Sequence, residues 1–297
     1  MKILITSLLI SLPLFLFATT EYKYIDIKGD NIQLGSYKGA WSVKTNKINL
    51  DLKGYDYTTI DDYLNIKDGE KVLIYFHSLL GGVNVYHKNT VKKLKEIEGM
   101  DKVISIIWHT EGLNYVNSWN QAIQTSELYK PIVGNILENE NIDKYILCHS
   151  MGHRIFEGIV KDYTAGTIKI DGIIFTGSDL DLDVFEKSLV TLPNLTKNIF
   201  LYVHRNDRLL KKSKKSHERE RLGLDGLSAD FRLETIANLE RIDVTNSSGA
   251  KLIRLTNHIY FKRDKMVLAD INLVINGRLD QRVSIIESKD LEYKTMN

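Results

Sequence analysis

The chain has 297 residues, of which 43% are hydrophobic, 26% are charged and three are prolines, and its formal net charge is +2. This length allows a full hydrophobic core, and no tract is poor enough in apolar residues to stay disordered. The small net charge gives no prediction of a nucleic-acid partner, and a single cysteine, Cys148, excludes an intramolecular disulfide.

The first 20 residues have the order of a secretory signal peptide. Lys2 precedes an apolar stretch over 3–17, and small residues follow at 18–20. The stretch is short for a permanent membrane span, and Pro13 would disturb such a helix. We therefore expect export to the periplasm or out of the cell. Because Leu16 is larger than a cleavage site prefers, an uncleaved membrane anchor is the alternative.

Residues 21–70 are expected to form N-terminal strands of the main domain. Within them, residues 22–53 alternate apolar and polar side chains between turn signals, which is typical of two or three antiparallel strands at a sheet edge.

From residue 71 the pattern changes to short apolar strands that alternate with helical segments. The strands are predicted at 72–77, 103–109, 145–149, 172–177, 199–204 and 251–256, and the helices at 88–98, 113–138, 152–163 and 228–239. Near-continuous apolar strands separated by helices predict an α/β fold, with a mostly parallel sheet covered on both faces and an antiparallel N-terminal edge. This core is assigned to residues 71–262, and residues 263–297 are predicted to be a C-terminal extension.

Ligands of such sheets bind beyond the carboxyl ends of the strands, where Ser150 directly follows the strand 145–149. With Cys148 two residues before it and Gly152 two residues after it, Ser150 fits a strand-to-helix turn of the G-x-S-x-G type, which exposes a nucleophilic hydroxyl. Met151 would then offer its backbone N–H to an oxyanion. A plain turn remains the alternative interpretation of so short a motif.

A nucleophilic serine needs a histidine base and an acid. His258 lies past the last predicted strand, and Asp207 lies just beyond the strand 199–204. Alone, His258 would be a packed loop histidine and Asp207 a turn or helix-capping residue. Together with Ser150 they have the chain order of the α/β-hydrolase triad, which favours the catalytic interpretation. Asp179, after the strand 172–177, is the rival acid.

The second oxyanion donor is expected in the loop after the first parallel strand. This loop reads Y-F-H-S-L-L-G-G from residue 75, and the backbone N–H of Leu79 is the candidate. Gly81 and Gly82 fit a flexible loop equally well.

Several of these segments resemble a bacterial α/β-hydrolase family whose function is not established. Residues 148–154, C-H-S-M-G-H-R, resemble its A-H-S-M-G-N-R signature, and residues 178–185, S-D-L-D-L-D-V-F, resemble its P-D-V-D-V-D-V-F segment. Further likeness lies at 201–213, at R-L-G over 221–223 and at N-H-I-Y-F over 257–261, so it spans roughly residues 70–262. The resemblance implies a serine hydrolase and no particular substrate. Departures from its pattern are Cys148, Ser78 and Asn257.

Two metal-like patterns are set aside. His149 and His153 have helical spacing but no H-E-x-x-H glutamate, and the run from Asp179 to Asp183 lacks the glycine and glutamate of a calcium loop. No metal and no cofactor are therefore expected.

The basic run over 205–221 contains the proposed acid, and most of its lysines and arginines come just after Asp207. It is typical of a solvated loop, or of a surface that attracts anionic substrates or makes peripheral contact with an anionic membrane.

Taken together, the residues predict an exported serine hydrolase that cleaves a carboxylic ester or a related acyl compound. Its substrate would be a small-molecule or lipid ester. The alternative is a non-catalytic binding or interaction protein with the same fold, favoured by the replaced glycines and the unplaced terminal segments.

Overall fold

The computed structural model describes residues 21–28, 31–38, 43–51, 57–79, 90, 93–94, 96–109, 115–227, 236, 238–247, 257–282 and 292–294. The strands in this part are β1 Glu21–Lys28, β2 Asn31–Lys38, β3 Val43–Asp51, β4 Lys71–Phe76, β5 Lys102–Ile107, β6 Asp143–His149, β7 Gly172–Thr176, β8 Ile199–Val203, β9 Leu239–Asp243 and β10 Glu292–Lys294. The helices are α1 Tyr57–Leu64, α2 Tyr115–Glu138, α3 Gly152–Val160, α4 Leu182–Ser188, α5 Arg208–His217, α6 Leu222–Asp225, α7 Tyr260–Arg263 and α8 Lys265–Ile275, with 3-10 turns at Leu192–Asn194 and Leu279–Gln281.

These strands form one sheet in the order β10-β9-β8-β7-β6-β4-β5-β1-β2-β3. Strands β9 through β1 in this order run parallel to their neighbours, while β2, β3 and β10 join through antiparallel pairings. The predicted mostly parallel sheet with an antiparallel N-terminal edge is therefore confirmed. The sheet places the carboxyl ends of β4, β6, β7 and β8 side by side, and this is the edge at which Ser150 and Asp207 were predicted.

Side chains of the central strands alternate between two cores, one on each face of the sheet. In β4, Ile74 and Phe76 point to the first core, and Leu73 and Tyr75 point to the second. Buried residues of α2 and α3 complete the first core, and buried residues of α8 complete the second. Both faces are covered, which is why the strands read as continuous apolar runs.

The strand that follows β8 in the sheet differs from the prediction. Leu239–Asp243 forms β9, parallel to β8, although residue 239 had been predicted as the end of a helix. Most of that predicted helix, the predicted strand at 251–256 and part of the predicted helix at 88–98 lie outside the described residues.

Within the predicted C-terminal extension 263–297, the described residues 263–282 pack against the second core. Asp264 caps α8 through a hydrogen bond from the backbone N–H of Met266, at 2.9 Å. Within α8, the buried Asp270 accepts hydrogen bonds from Tyr202 of β8 and from Arg282. Residues 263–282 thus anchor the second core to the sheet. Near the other end of the chain, the predicted strand block 21–70 also contains a helix, α1.

Among the helices that the structure describes, none combines the length and the apolar character that a membrane span requires.

Candidate active site

Ser150 occupies a sharp turn between β6 and α3. Its φ angle is +57°, a left-handed conformation that non-glycine residues seldom adopt because it costs roughly 1 kcal/mol or more. Its backbone N–H donates to the carbonyl of Thr176 on β7, at 3.0 Å, and its carbonyl accepts from the N–H of His153, at 3.2 Å. The surrounding structure therefore holds the serine in a strained turn, as a nucleophile elbow requires.

Two small residues, Cys148 and Gly152, flank this turn. A Cβ atom on Gly152 would lie 2.4 Å from the carbonyl oxygen of Phe76 and 2.6 Å from that of His77. Cys148 is fully buried in the first core, and burial raises the pKa of its thiol well above the ordinary value. The start of α3 can approach the end of β4 only because residue 152 has no side chain.

His258 and Asp207 form a buried pair at the same edge of the sheet. The Nδ1 atom of His258 lies 2.6 Å from Oδ2 of Asp207, and the two side chains are 5% and 0% exposed. Burial lowers the pKa of His258, but the charge and hydrogen bond of Asp207 outweigh burial, so the pKa is raised overall. The other oxygen of Asp207 accepts from the N–H groups of Leu209 and Leu210, both at 3.0 Å. Asp207 therefore both caps α5 and holds the histidine.

The loop that carries His258 is fixed on both sides. Asn257 has a φ angle of +53°, which asparagine tolerates better than most residues, and its side-chain amide donates to the carbonyl of Asn206 at 3.0 Å. Asn257, one of the departures from the resembling family's pattern, therefore adopts a left-handed conformation that glycine would adopt without strain. The Tyr260 hydroxyl accepts from Gly177 N at 2.5 Å and donates to the carbonyl of Tyr202 at 2.8 Å. This tyrosine ties the histidine loop to the ends of β7 and β8.

The ring of His258 lies beside the strand end that leads into Ser150. Its centroid is 4.8 Å from that of His149, the residue before the serine. On the β7 side, a Cβ on Gly177 would be 3.3 Å from Cε1 and Nδ1 of His258. The fold thus brings the segments of Ser150, Asp207 and His258 to adjoining strand ends.

Asp179, the rival acid, lies close to the elbow but has other partners. Its backbone N–H donates to the Ser150 carbonyl at 3.3 Å, while its Oδ1 accepts from the Ser213 hydroxyl at 2.8 Å. The Nε atom of Arg221 is 3.5 Å from the same oxygen. Burial raises the pKa of Asp179 to about 7, although Arg221 and Ser213 lower it. Of the two carboxylates, Asp207 is the one hydrogen-bonded to His258.

The two predicted oxyanion donors lie on different segments. Met151 is fully buried at the N-cap position of α3, where the first backbone N–H groups of a helix have no partner within the helix. Leu79 follows β4 and packs against the first core. The turn before Leu79 is anchored by His77, whose Nδ1 donates to the Ser78 carbonyl at 2.6 Å and whose Nε2 accepts from Trp108 N at 3.0 Å. Gly81 and Gly82 lie outside the described residues.

An arginine and carboxylate network beside the elbow was not predicted from the sequence. Arg221 pairs with Asp181, and Arg154 lies 3.4 Å from the same carboxylate while stacking 3.7 Å from the ring centre of Trp119. The acidic run that mimics a calcium loop is therefore a set of arginine partners. The only sequence signal was that both arginines fall in the segments resembling the bacterial family.

In the described part of the chain, no group of three or more His, Cys, Asp or Glu side chains could hold a metal ion. The two histidines with helical spacing are engaged separately: His149 Nδ1 donates to the Thr176 carbonyl at 3.0 Å, and His153 Nδ1 lies 2.6 Å from the Ser178 hydroxyl.

Comparison with known proteins gives one family match. Residues 56–278 match the family described as "Alpha/beta hydrolase of unknown function (DUF900)". A solved structure described as "the putative cell surface hydrolase from Lactobacillus plantarum WCFS1" is similar over 76% of this chain and 100% of its own, with 11% identity and a TM-score of 0.46. No curated protein sequence matches the chain.

Proposed function

The chain belongs to the family of alpha/beta hydrolases of unknown function that matches residues 56–278, and from this premise we propose that it is a serine hydrolase. Family membership and the sheet order confirm the predicted α/β-hydrolase fold and the resemblance to a bacterial family. The proposed reaction is cleavage of a carboxylic ester, of a small molecule or a lipid, or of a related acyl compound.

In the proposed mechanism, His258 removes the proton from the Ser150 hydroxyl as it attacks the acyl carbon. Asp207 keeps the proton of the neutral imidazole on Nδ1 and stabilises the imidazolium that forms. The N–H groups of Met151 and Leu79 stabilise the tetrahedral oxyanion, and each such donor is worth roughly 10²–10³ in kcat. His258 then gives its proton to the leaving alcohol, and water releases the acyl group from Ser150 by the same steps.

The observation that carries this proposal is the buried 2.6 Å contact between His258 and Asp207, next to a serine in a left-handed turn. Taken singly, a strained serine, a helix-capping aspartate and a loop histidine are each common. Their convergence at one sheet edge, in the chain order Ser, Asp, His, is the argument for a triad.

Ser150→Ala tests the proposal. We expect the variant to lose hydrolysis of p-nitrophenyl esters by roughly 10⁴-fold or more, with little change in thermal unfolding. Ser126→Ala is a matched control, because Ser126 is likewise a buried serine but lies on α2, where its hydroxyl donates to the Ile123 carbonyl. Hydrolysis by Ser150→Ala at the wild-type rate would exclude the assignment. A folded protein without any hydrolase activity would favour the non-catalytic binding protein.

We also propose that the protein is exported, on the basis of the N-terminal signal-peptide pattern alone. N-terminal sequencing of the protein recovered from its own cells tests this. If the signal peptide is cleaved after export, the mature chain should start near residue 19 to 21, whereas an intact Met1 would favour the uncleaved anchor.

A further inference from the structure

Helix α5 has two opposite faces. Leu210 and Ser213 are buried against the protein, and His217 is partly buried beside them. The opposite face, here called the basic face, consists of the exposed side chains Arg208, Lys211, Lys212 and Lys215. These positions are spaced i, i+3, i+4 and i+7, so they form one stripe along the helix.

The four cations of the basic face have no carboxylate partner among the described residues. Lys211 donates to the uncharged Oδ1 of Asn206, at 3.3 Å, and α5 itself contains no acidic residue. Neighbouring cations differ: Lys214 pairs with Glu220 at 2.5 Å, and Arg205 with Asp243 at 2.8 Å.

The arrangement of the basic face opposes helix stability. Like charges at spacings of three and four repel each other, and a cation in the first turn, such as Arg208, is unfavourable at the positive end of the helix dipole. Tertiary packing of the buried face and the Asp207 cap offset this cost. An external anionic surface would remove it.

The basic face begins next to a residue of the candidate active site, Asp207. Its helix begins at the residue after Asp207 and, at about 1.5 Å per residue, the whole helix extends roughly 15 Å from it. Leu209, beside the stripe, is 44% exposed. Cations with an adjacent exposed leucine fit a lipid headgroup layer, in which the apolar side chain can insert. A nucleic acid would leave the leucine in water, and the net charge of +2 provides no wider basic surface.

We propose that the basic face docks the protein on an anionic phospholipid bilayer and sets the rim of the candidate active site against the lipid surface. This inference does not depend on the proposed catalytic function. Binding would be electrostatic and would weaken with salt, because exposed cations at a charged membrane are screened within a Debye length.

The test is cosedimentation of the full chain with vesicles of phosphatidylserine and phosphatidylcholine, compared with vesicles of phosphatidylcholine alone. We expect wild type to prefer the anionic vesicles and each cation of the basic face to contribute about fivefold to that preference. The variant R208Q/K211Q/K212Q/K215Q should therefore lose the preference several-hundred-fold. The N-terminal apolar segment is present in every variant, so its contribution cancels.

A charge-matched control is K130Q/K161Q/K187Q/K197Q. These lysines lie elsewhere on the surface and each pairs with an acid, Asp162, Glu127, Asp183 and Asp171 in that order. The control should keep most of the wild-type preference. Equal losses in both quadruple variants would mean that net charge alone matters, and no loss in either would mean that the basic face is not used. Either result overturns the proposal.

Two double variants, R208Q/K212Q and K211Q/K215Q, keep the test decisive if the quadruple variant unfolds. Each should lose the preference roughly 25-fold while melting at or slightly above the wild-type temperature, because repulsion along the helix is reduced. Loss of duplex-DNA binding by these variants, with vesicle binding unchanged, would assign the face to nucleic acid and refute the proposal. Ser150→Ala should bind vesicles as wild type does, which separates this inference from the catalytic one.

Discussion

The substitution Asp207→Asn separates the two roles of one carboxylate. Oδ1 of Asp207 caps α5, while Oδ2 accepts a hydrogen bond from Nδ1–H of His258. Asparagine caps helices about as well as aspartate, so its oxygen can keep the cap. Its amide NH₂ then faces Nδ1 of His258 and favours the tautomer with the proton on Nε2, which cannot accept the serine proton.

The expected loss in kcat is about 10⁴-fold, the size seen when the acid of a serine triad becomes an amide. The stability cost is about 1.5–3 kcal/mol, because one buried hydrogen bond to a charged group is lost. Asp207→Ala should lose as much activity and about 1 kcal/mol more stability, because the cap is lost as well. The two variants should therefore differ in unfolding and agree in catalysis.

The assay combines kcat/KM for an ester over a pH range with urea unfolding. The pKa of His258 is raised because Asp207 outweighs burial, so Asp207→Asn should shift the acid limb of the residual activity to lower pH. Because the pKa of His258 is raised in the folded protein, the ion pair stabilises the fold fully at pH values below the ordinary histidine pKa. This stabilisation is lost as the pH rises through the raised pKa of His258. The destabilisation by Asp207→Asn should thus be larger near pH 6 than near pH 9.

Asp179→Asn is the matched comparison. It removes a buried carboxylate beside the elbow that bonds Ser213 and not His258, so we expect a much smaller loss of activity. Wild-type kcat/KM in Asp207→Asn, together with a 10⁴-fold loss in Asp179→Asn, would refute the reasoning and make Asp179 the acid.

Three further substitutions test the packing around the elbow. Gly152→Ala places a Cβ against the Phe76 and His77 carbonyls. It should lower the free energy of unfolding in urea by roughly 1–3 kcal/mol and kcat by about 10²-fold. Wild-type stability would contradict the close approach of α3 to the end of β4. Tyr260→Phe removes the hydroxyl that accepts from Gly177 N–H and donates to the Tyr202 carbonyl. Thermal unfolding should therefore show a loss of about 1–3 kcal/mol, and an unchanged melting temperature would argue against these bonds. Asn257→Gly should match wild-type stability within a few tenths of a kcal/mol, while Asn257→Ala should lower the free energy of unfolding by about 1 kcal/mol or more. Equal stability of the two variants would show that the positive φ angle of residue 257 does not determine the cost.

Much of the sheet could be predicted because five central strands are buried on both faces and read as apolar runs. Strand β9, L-E-R-I-D, was missed because it carries three charged residues, two acids and an arginine, within five positions, and its pattern fits a helix as well as a strand. The parallel pairing of β1 with β5 depends on a contact between segments about 80 residues apart, which local patterns do not encode. Helix α8 was not predicted, because Asp270 interrupts its apolar stripe. The role of Asp270 as partner of Tyr202 and Arg282 appears only in three dimensions.

The candidate site was predictable where chemistry coincides with strand ends. Ser150, Asp207 and His258 could be proposed because each follows a strand or loop at the same edge. The sequence favoured Asp207 but left Asp179 as a rival, since both follow strands; the hydrogen bond from His258 is the geometric support for Asp207. The positions of Tyr260 and Arg221 were hidden for another reason: their hydrogen bonds and ion pairs join residues 40 to 83 positions apart.

Covalent labelling by a fluorophosphonate, followed by intact-mass analysis and peptide mapping, measures serine activation most directly. We predict one adduct per chain, on Ser150, that is absent in Ser150→Ala and forms at least 10³-fold more slowly in His258→Ala. Failure of the folded wild-type protein to label, or labelling of Ser150 at the same rate without His258, would contradict the proposed triad.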